Sequence, residues 1–392
     1  MPEAVVVSAV RTAIGTAFKG SLTETLPEEL ARVVVGESVS RSGLYPARFD
    51  DVVLAESNYG GGDVARHAAL ESGLTHVPGQ AVNRHCAGSL TAVQVAAGSI
   101  RSGMDRVVIA GGVQSASLNP AQRLRVPGTT DQWIDDWMSP AHPDSAEAPN
   151  RDMTITVGWN TAVEAGISRA EMDAWALRSH ERAIAAIDSG TFVEEIVPVR
   201  ALHRDGAIRD FAVDEHPRRG TSMERMAALK PVHPEIDGFS ITAGNSSGVN
   251  DAAAALTLVA GDVVRTEGLT ALATVRAWAN VGVEPRRNGM AVIDGITRVL
   301  ERAGLSVDDI ALWEINEAFA SVPIAACRAL SIDDAVVNTS GSGCSLGHPV
   351  AASGARMLTT LVHELRRRGG GFGVAAMCAG GGQAGAVVLE VH

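Results

Sequence analysis

Short aliphatic runs alternate along the chain with stretches whose apolar residues recur every three or four positions. The runs Ala4 to Val10, Val52 to Glu56, Arg106 to Ala110, Ala311 to Ile315, Gly373 to Met377 and Ala386 to Val391 predict strands, and their continuous apolar character predicts burial on both faces. After Asn83, the residues Leu90, Val93, Ala97 and Ile100 fall at helical spacing with no charge between Cys86 and Arg101, which predicts a buried helix opening near Cys86. Strands and helices in alternation predict an α/β layered fold.

The pattern is written twice. Residues 42–56, from Ser42-Gly-Leu to Val-Leu-Ala-Glu56, resemble residues 303–317, from Ala303-Gly-Leu to Glu-Ile-Asn-Glu317. In each copy a Val-Asn pair follows (Val82-Asn83, Val337-Asn338), then a turn rich in glycine and serine, a helix, and a strand running into glycines. Gene duplication predicts two α/β halves, one from 1–117 with a return over 241–268, the other from 269–392. Residues 118–240 differ in character, holding nine of the 16 prolines and four of the six tryptophans, and are expected to form a loop domain over the first half.

Composition narrows the function more than the fold. A length of 392 residues predicts two or three cores, and 33 basic against 45 acidic residues give a charge of -12, which argues against nucleic acid and anionic membranes as partners. Lys19 and Lys230 are the only lysines, a bias that fits a GC-rich bacterial genome. The start lacks a positive n-region and no apolar run nears the ~18 residues of a spanning helix, so a cytoplasmic protein is expected. Cys86, Cys327, Cys344 and Cys378 are too sparse for a disulfide framework and lack zinc-site spacing, which leaves each a buried apolar group or a nucleophile.

Four positions have chemical promise. Cys86 at a helix start would meet unpaired N–H groups and a positive dipole end, which favour a thiolate, or it is a core cysteine. His348, in Gly347-His-Pro349, sits in a turn with no face to pack on, as a surface histidine also would. Cys378 meets a glycine stretch whose N–H groups can approach a ligand closely, and Asn316 either donates to a ligand or caps the next helix.

In this order the pieces resemble the thiolase family: Val82-Asn-Arg-His-Cys86, Gly244-Asn-Ser-Ser-Gly-Val-Asn-Asp251, Asn316-Glu-Ala-Phe-Ala320, Gly347-His-Pro349 and Cys378-Ala-Gly-Gly-Gly382, with Val7-Ser-Ala-Val-Arg-Thr12 and Ile167-Ser-Arg169 in support. The resemblance covers nearly the whole chain. It implies duplicated halves forming an αβαβα core with a loop domain, and acyl exchange on coenzyme A as substrate with no bound cofactor and no metal. It also implies a homodimer or homotetramer, and a place in fatty-acid metabolism such as β-oxidation. By the same resemblance Cys86 takes the acyl group as a thioester, His348 activates it, Cys378 moves the α-proton, and Asn316 with His348 serves the enolate oxygen. The backbone N–H groups of Cys86 and Gly380 serve the acyl oxygen, and Ser247, Arg218, Asn288 and Phe319 contact substrate.

Departures from the family pattern gather at pocket positions. Cys86-Ala-Gly-Ser-Leu90 exchanges the usual serine and glycine, Ser340-Gly-Ser-Gly343 replaces Asn-Gly-Gly-Ala, Ala351 replaces a glycine, and Asn288 stands where a methionine is usual. They predict a bulkier or more polar acyl group than acetoacetyl. Two alternatives stand beside a thiolase. A ketosynthase-like condensing enzyme would carry histidine or asparagine at the position of Cys378, and a non-catalytic acyl-CoA-binding relative would not need all four catalytic residues.

Overall fold

A computed structural model describes residues 2–57 and 62–392. Nine principal strands are β1 (Ala4–Thr12), β2 (Asp51–Ala55), β3 (Gly79–Val82), β4 (Val107–Gln114), β5 (Asn250–Ala260), β6 (Ala273–Gly282), β7 (Ile310–Ile315), β8 (Gly371–Ala379) and β9 (Gln383–Val391). The principal helices are α1 (Pro27–Ser42), α2 (Val64–Glu71), α3 (Gly88–Ser102), α4 (Arg169–Asp188), α5 (Ala291–Ala303), α6 (Ser321–Leu330) and α7 (Ser353–Arg367). The strands form one hydrogen-bonded ladder in the order β7-β8-β9-β6-β1-β5-β4-β2-β3, with the two-residue strands Gly15–Thr16 and Ile196–Val197 added on β5 and β1.

The two copies read in the sequence appear as two equivalent halves. In the first, β5 lies antiparallel between β1 and β4, and β2 runs parallel between β4 and β3. In the second, β9 lies antiparallel between β6 and β8, β7 runs parallel to β8, and Val337 forms a parallel bridge to Trp313 where β3 would stand. A short antiparallel contact, Val5 with Thr274 and Val6 with Ala273, joins the halves. Helices α3 and α7 pack against strands of both halves, α1 covers strands of the first and α5 those of the second, which is the five-layer order expected. No helix among the described residues is long and apolar enough to cross a membrane.

The strand expectations hold at their centres and move at their ends. The run placed at Arg106 to Ala110 continues through Gly111 and Gly112 to Gln114, because a side chain at Gly111 would collide with the Ala254 carbonyl and one at Gly112 with the Ala351 carbonyl. β5 and β6 carried no strand reading at all. The run Asn-Asp-Ala-Ala-Ala-Ala at 250–255 has helical propensity, yet every residue of β5 is buried and its alanines are what the close approach to β4 permits.

Between β4 and β5 lies the insertion: a small hairpin pairing Leu124 with Ile134, an irregular crossing, α4 and a second hairpin pairing Val199 with Phe211. The corresponding connection in the second half, β8 to β9, is only the turn Gly380-Gly381-Gly382. The insertion bends back over that turn, since a side chain on Gly381 would lie 3.1 Å from the Ala141 carbonyl.

Candidate active site

Duplication puts equivalent positions of the halves face to face. Cys86 leads into α3, and His348 leads into α7. The two helices meet at their N-terminal ends. The Ala355 N–H donates to Ser89 Oγ at 2.9 Å, and a side chain on Gly354 would come 2.6 Å from the Leu90 nitrogen. Here the exchanged Gly88-Ser89 finds its reason: Gly88 faces the Ala55 methyl, 2.8 Å from where its own Cβ would stand, while Ser89 accepts from the start of α7.

Cys86 sits in a 3₁₀ turn, His85–Ala87, ahead of α3 rather than inside its first turn. The residue is partly exposed but its sulfur is enclosed, and that burial pushes the thiol up to about 11. This corrects the expectation of a helix-start thiolate: desolvation outweighs the N–H groups of Gly380 and of Cys86 itself, which hydrogen-bond to the sulfur and act the other way. Cys378, at the end of β8, is buried and near enough to feel charge on Cys86; desolvation, then that charge, raise its pKa.

His348 is buried, not a surface turn residue. Its backbone N–H donates to Asn250 Oδ1 at 3.0 Å, and Gly347, at φ 107, leaves space that any side chain would fill against the Asn250 amide. Ser353 Oγ donates to the Pro349 carbonyl at 2.9 Å and therefore accepts from His348 Nδ1, 2.6 Å away. The imidazole proton is thus held on Nδ1, leaving Nε2 as the acceptor, 3.4 Å from the Asn316 amide nitrogen. Burial first, then the positive charge of Arg356, lower the His348 pKa to about 3, so the ring is neutral at rest.

Asn316 follows β7, with its N–H on the Ala376 carbonyl at 3.0 Å and its Oδ1 buried with no partner among the described residues. Next to it, the buried Glu317 carboxylate accepts from Trp175 Nε1 (2.9 Å), Asn338 Nδ2 (2.8 Å), Ser179 Oγ (2.6 Å) and the Cys344 N–H (3.1 Å). That knot ties α4 and the 338–345 loop to the strand end. Sequence reading passed over Ser353, Asn250 and Glu317; Asn250 and Glu317 stood inside quoted motifs, whereas Ser353 gave no signal beyond its five-residue spacing from His348.

A cavity of about 780 Å³ opens on Cys86, lined by His85, Val350, Gly380 and Gly381 and roofed by the insertion from Asn119 to Met153. Ser247, Arg218, Asn288 and Phe319 are not among its lining residues. Ser247 donates its N–H to the Ala318 carbonyl at 2.9 Å, Arg218 is exposed with its N–H on His180 Nδ1 at 3.2 Å, and Phe319 is buried against Gly158. Asn288 is fully buried, and both ends of its amide lack partners among the described residues.

The comparisons agree with this geometry. The thiolase N-terminal domain family matches residues 4–262 and the thiolase C-terminal domain family residues 269–391. The chain belongs to the thiolase family. It is 38% identical over 400 residues to an acetyl-CoA acetyltransferase of Pseudomonas aeruginosa, and 40% identical over 408 residues to a β-ketoadipyl-CoA thiolase of the same species, each alignment covering 99% of both chains. A solved acetyl-CoA acetyltransferase of Bacillus anthracis superposes with a TM-score of 0.92 at 36% identity, covering 100% of this chain and 99% of that one. The protein is therefore an acyltransferase of the thiolase type, cleaving 3-oxoacyl-CoA with coenzyme A or condensing two acyl-CoAs in reverse. Nothing in these relationships supports a ketosynthase-like or non-catalytic reading.

Proposed function

We propose that the acyl group is carried on Cys86, with His348 as the base that takes the thiol proton at Nε2. The observation that carries this reading is the convergence on the Cys86 sulfur of two backbone N–H groups, its own and that of Gly380, beside Cys378. Donors placed there would stabilise the tetrahedral oxyanion of acyl transfer, and one such donor is typically worth about 3–4 kcal/mol. With a thiol near 11 and an imidazole near 3, the resting pair stays neutral, so proton transfer accompanies attack on the thioester.

Cys378 would then move the α-proton of the second acyl-CoA, with His348 and the Asn316 amide serving the enolate oxygen. Ser247, Arg218, Asn288 and Phe319 remain proposed substrate contacts beyond the cavity at Cys86, with Ser247 and Arg218 meeting coenzyme A. The same reading divides the chain into 1–117 with 241–268, a loop domain over 118–240, and 269–392. It places the protein in a bacterial cytoplasm, acting in fatty-acid breakdown. We take it to be a homo-oligomer, supported by the partly exposed outer edge of β3, which pairs with no further strand among the described residues.

The test is a panel of 3-oxoacyl-CoAs with coenzyme A, followed by loss of the 3-oxo thioester and by peptide mapping of the trapped acyl adduct. Label on Cys86 is expected. Label on Cys378 alone would exchange the two roles.

A further inference from the structure

The lining of the cavity at Cys86 holds a feature that the carbon–carbon chemistry does not use. His142 is fixed by three hydrogen bonds: its Nε2 to the Ala148 carbonyl at 2.9 Å, its backbone N–H to Asn150 Oδ1 at 3.3 Å, and its carbonyl from Asn150 Nδ2 at 2.7 Å. A carbonyl only accepts, so the ring proton is on Nε2 and Nδ1 is a bare acceptor. Nδ1 is buried and has no partner among the described residues. A buried acceptor held in one orientation and left unpaired is a site awaiting a donor.

Its position puts that donor on the substrate. His142 lines the cavity on which Cys86 opens, and the residue before it, Ala141, lies over Gly381. His85 stands at the same turn, its ring 3.2 Å from where a side chain on Gly380 would begin. Of the charged side chains lining the cavity, Arg151 is paired with Asp136 at 2.8 Å, and Glu56 is an acid. Among the described residues no unpaired cation lines the cavity, where Asp136 and Glu56 add negative charge, so a neutral group suits the lining better than an anionic tail.

We propose that His142 is a specificity-determining residue that accepts a hydrogen bond from a hydroxyl on the acyl chain of the substrate, so that the preferred 3-oxoacyl-CoA carries a neutral hydroxyl beyond its 3-oxo group. The inference rests on the Cys86 acyl-enzyme reading and deepens it. A site built to pair with a substrate hydroxyl discriminates against the analogue that lacks it, because its own acceptor is then left buried and unpaired.

The experiment compares kcat/KM for thiolysis of 3-oxohexanoyl-CoA, its 5-hydroxy and 6-hydroxy derivatives, and the chain-matched carboxylate 3-oxoadipyl-CoA. One of the two hydroxylated substrates is expected to exceed both the plain chain and the carboxylate by about tenfold. In His142→Leu that ratio should fall toward one, and in His142→Gln, which keeps an acceptor, it should fall less. Should His142→Leu fail to fold, the wild-type ratio and His142→Gln decide. A wild type that favours the plain chain or the carboxylate, or a ratio that survives loss of the imidazole, overturns the inference while leaving thiolysis intact. Failure to cleave any of the four removes the reading beneath it as well.

Discussion

His348, the proposed base, shows how neighbours distant in sequence fix the state of a side chain. Ser353 holds its proton on Nδ1, Asn250 fixes its backbone, and the buried Arg356, paired with Glu314 at 2.7 Å, adds to burial in keeping the ring uncharged. The free-enzyme groups then lie near 3 for His348 and near 11 for Cys86. Because a base with a lowered pKa is lost only as pH falls through that lowered value, kcat/KM for acyl exchange should be flat between about pH 6 and 8, where an ordinary histidine would titrate. Ser353→Ala should lower kcat by roughly tenfold or more with little change in KM, and Ser353→Thr should restore much of it. An acid limb near 6.5 in the wild-type profile, or an indifferent Ser353→Ala, would contradict this. Cys86, His348, Cys378 and Asn316 were legible in the sequence as candidates because each stands in a distinctive word; Ser353 and His142 were not, since the roles proposed for them depend on which ring nitrogen is left free.

Among the elements, the glycines of β4 matter more than its aliphatic residues. Gly112 lets the strand pass directly against the Ala351 carbonyl, three residues beyond His348, and Ser89 lies 3.0 Å from where its Cβ would be. Gly112→Ala should therefore destabilise by about 1–3 kcal/mol through overpacking and reduce kcat by shifting the turn after His348. Gly36→Ala, inside α1 with Ser72 Oγ 3.5 Å away, should instead raise the melting temperature, since alanine is the better helix former by about 1 kcal/mol. Thermal melts of both variants check the pair; equal effects would mean that the close approach carries no weight. The same packing explains why β5 escaped sequence reading. Small residues demanded by a tight sheet look like helix formers when the facing strand is unknown.

At the scale of the whole molecule, one duplicated half supplies Cys86 and the other supplies His348, Cys378, Asn316 and the Gly380 N–H, so the proposed site exists only where the halves meet. The repeat was readable because both copies keep the same order of turn, strand and Val-Asn pair. The path of the insertion was not, because its contacts with Gly381 are tertiary. Two cysteines from opposite halves imply two separable steps. Acyl exchange between an acyl-CoA and coenzyme A needs a nucleophile and an oxyanion hole, whereas carbon–carbon cleavage also needs the α-proton moved, and general acid–base help is commonly worth about 10²–10⁴-fold. The direct test is to measure both reactions in Cys86→Ala and Cys378→Ala. Cys86→Ala should lose both, and Cys378→Ala should keep exchange while thiolysis of a 3-oxoacyl-CoA falls by about 10²-fold or more; thiolysis surviving in Cys378→Ala while exchange is lost would contradict these roles.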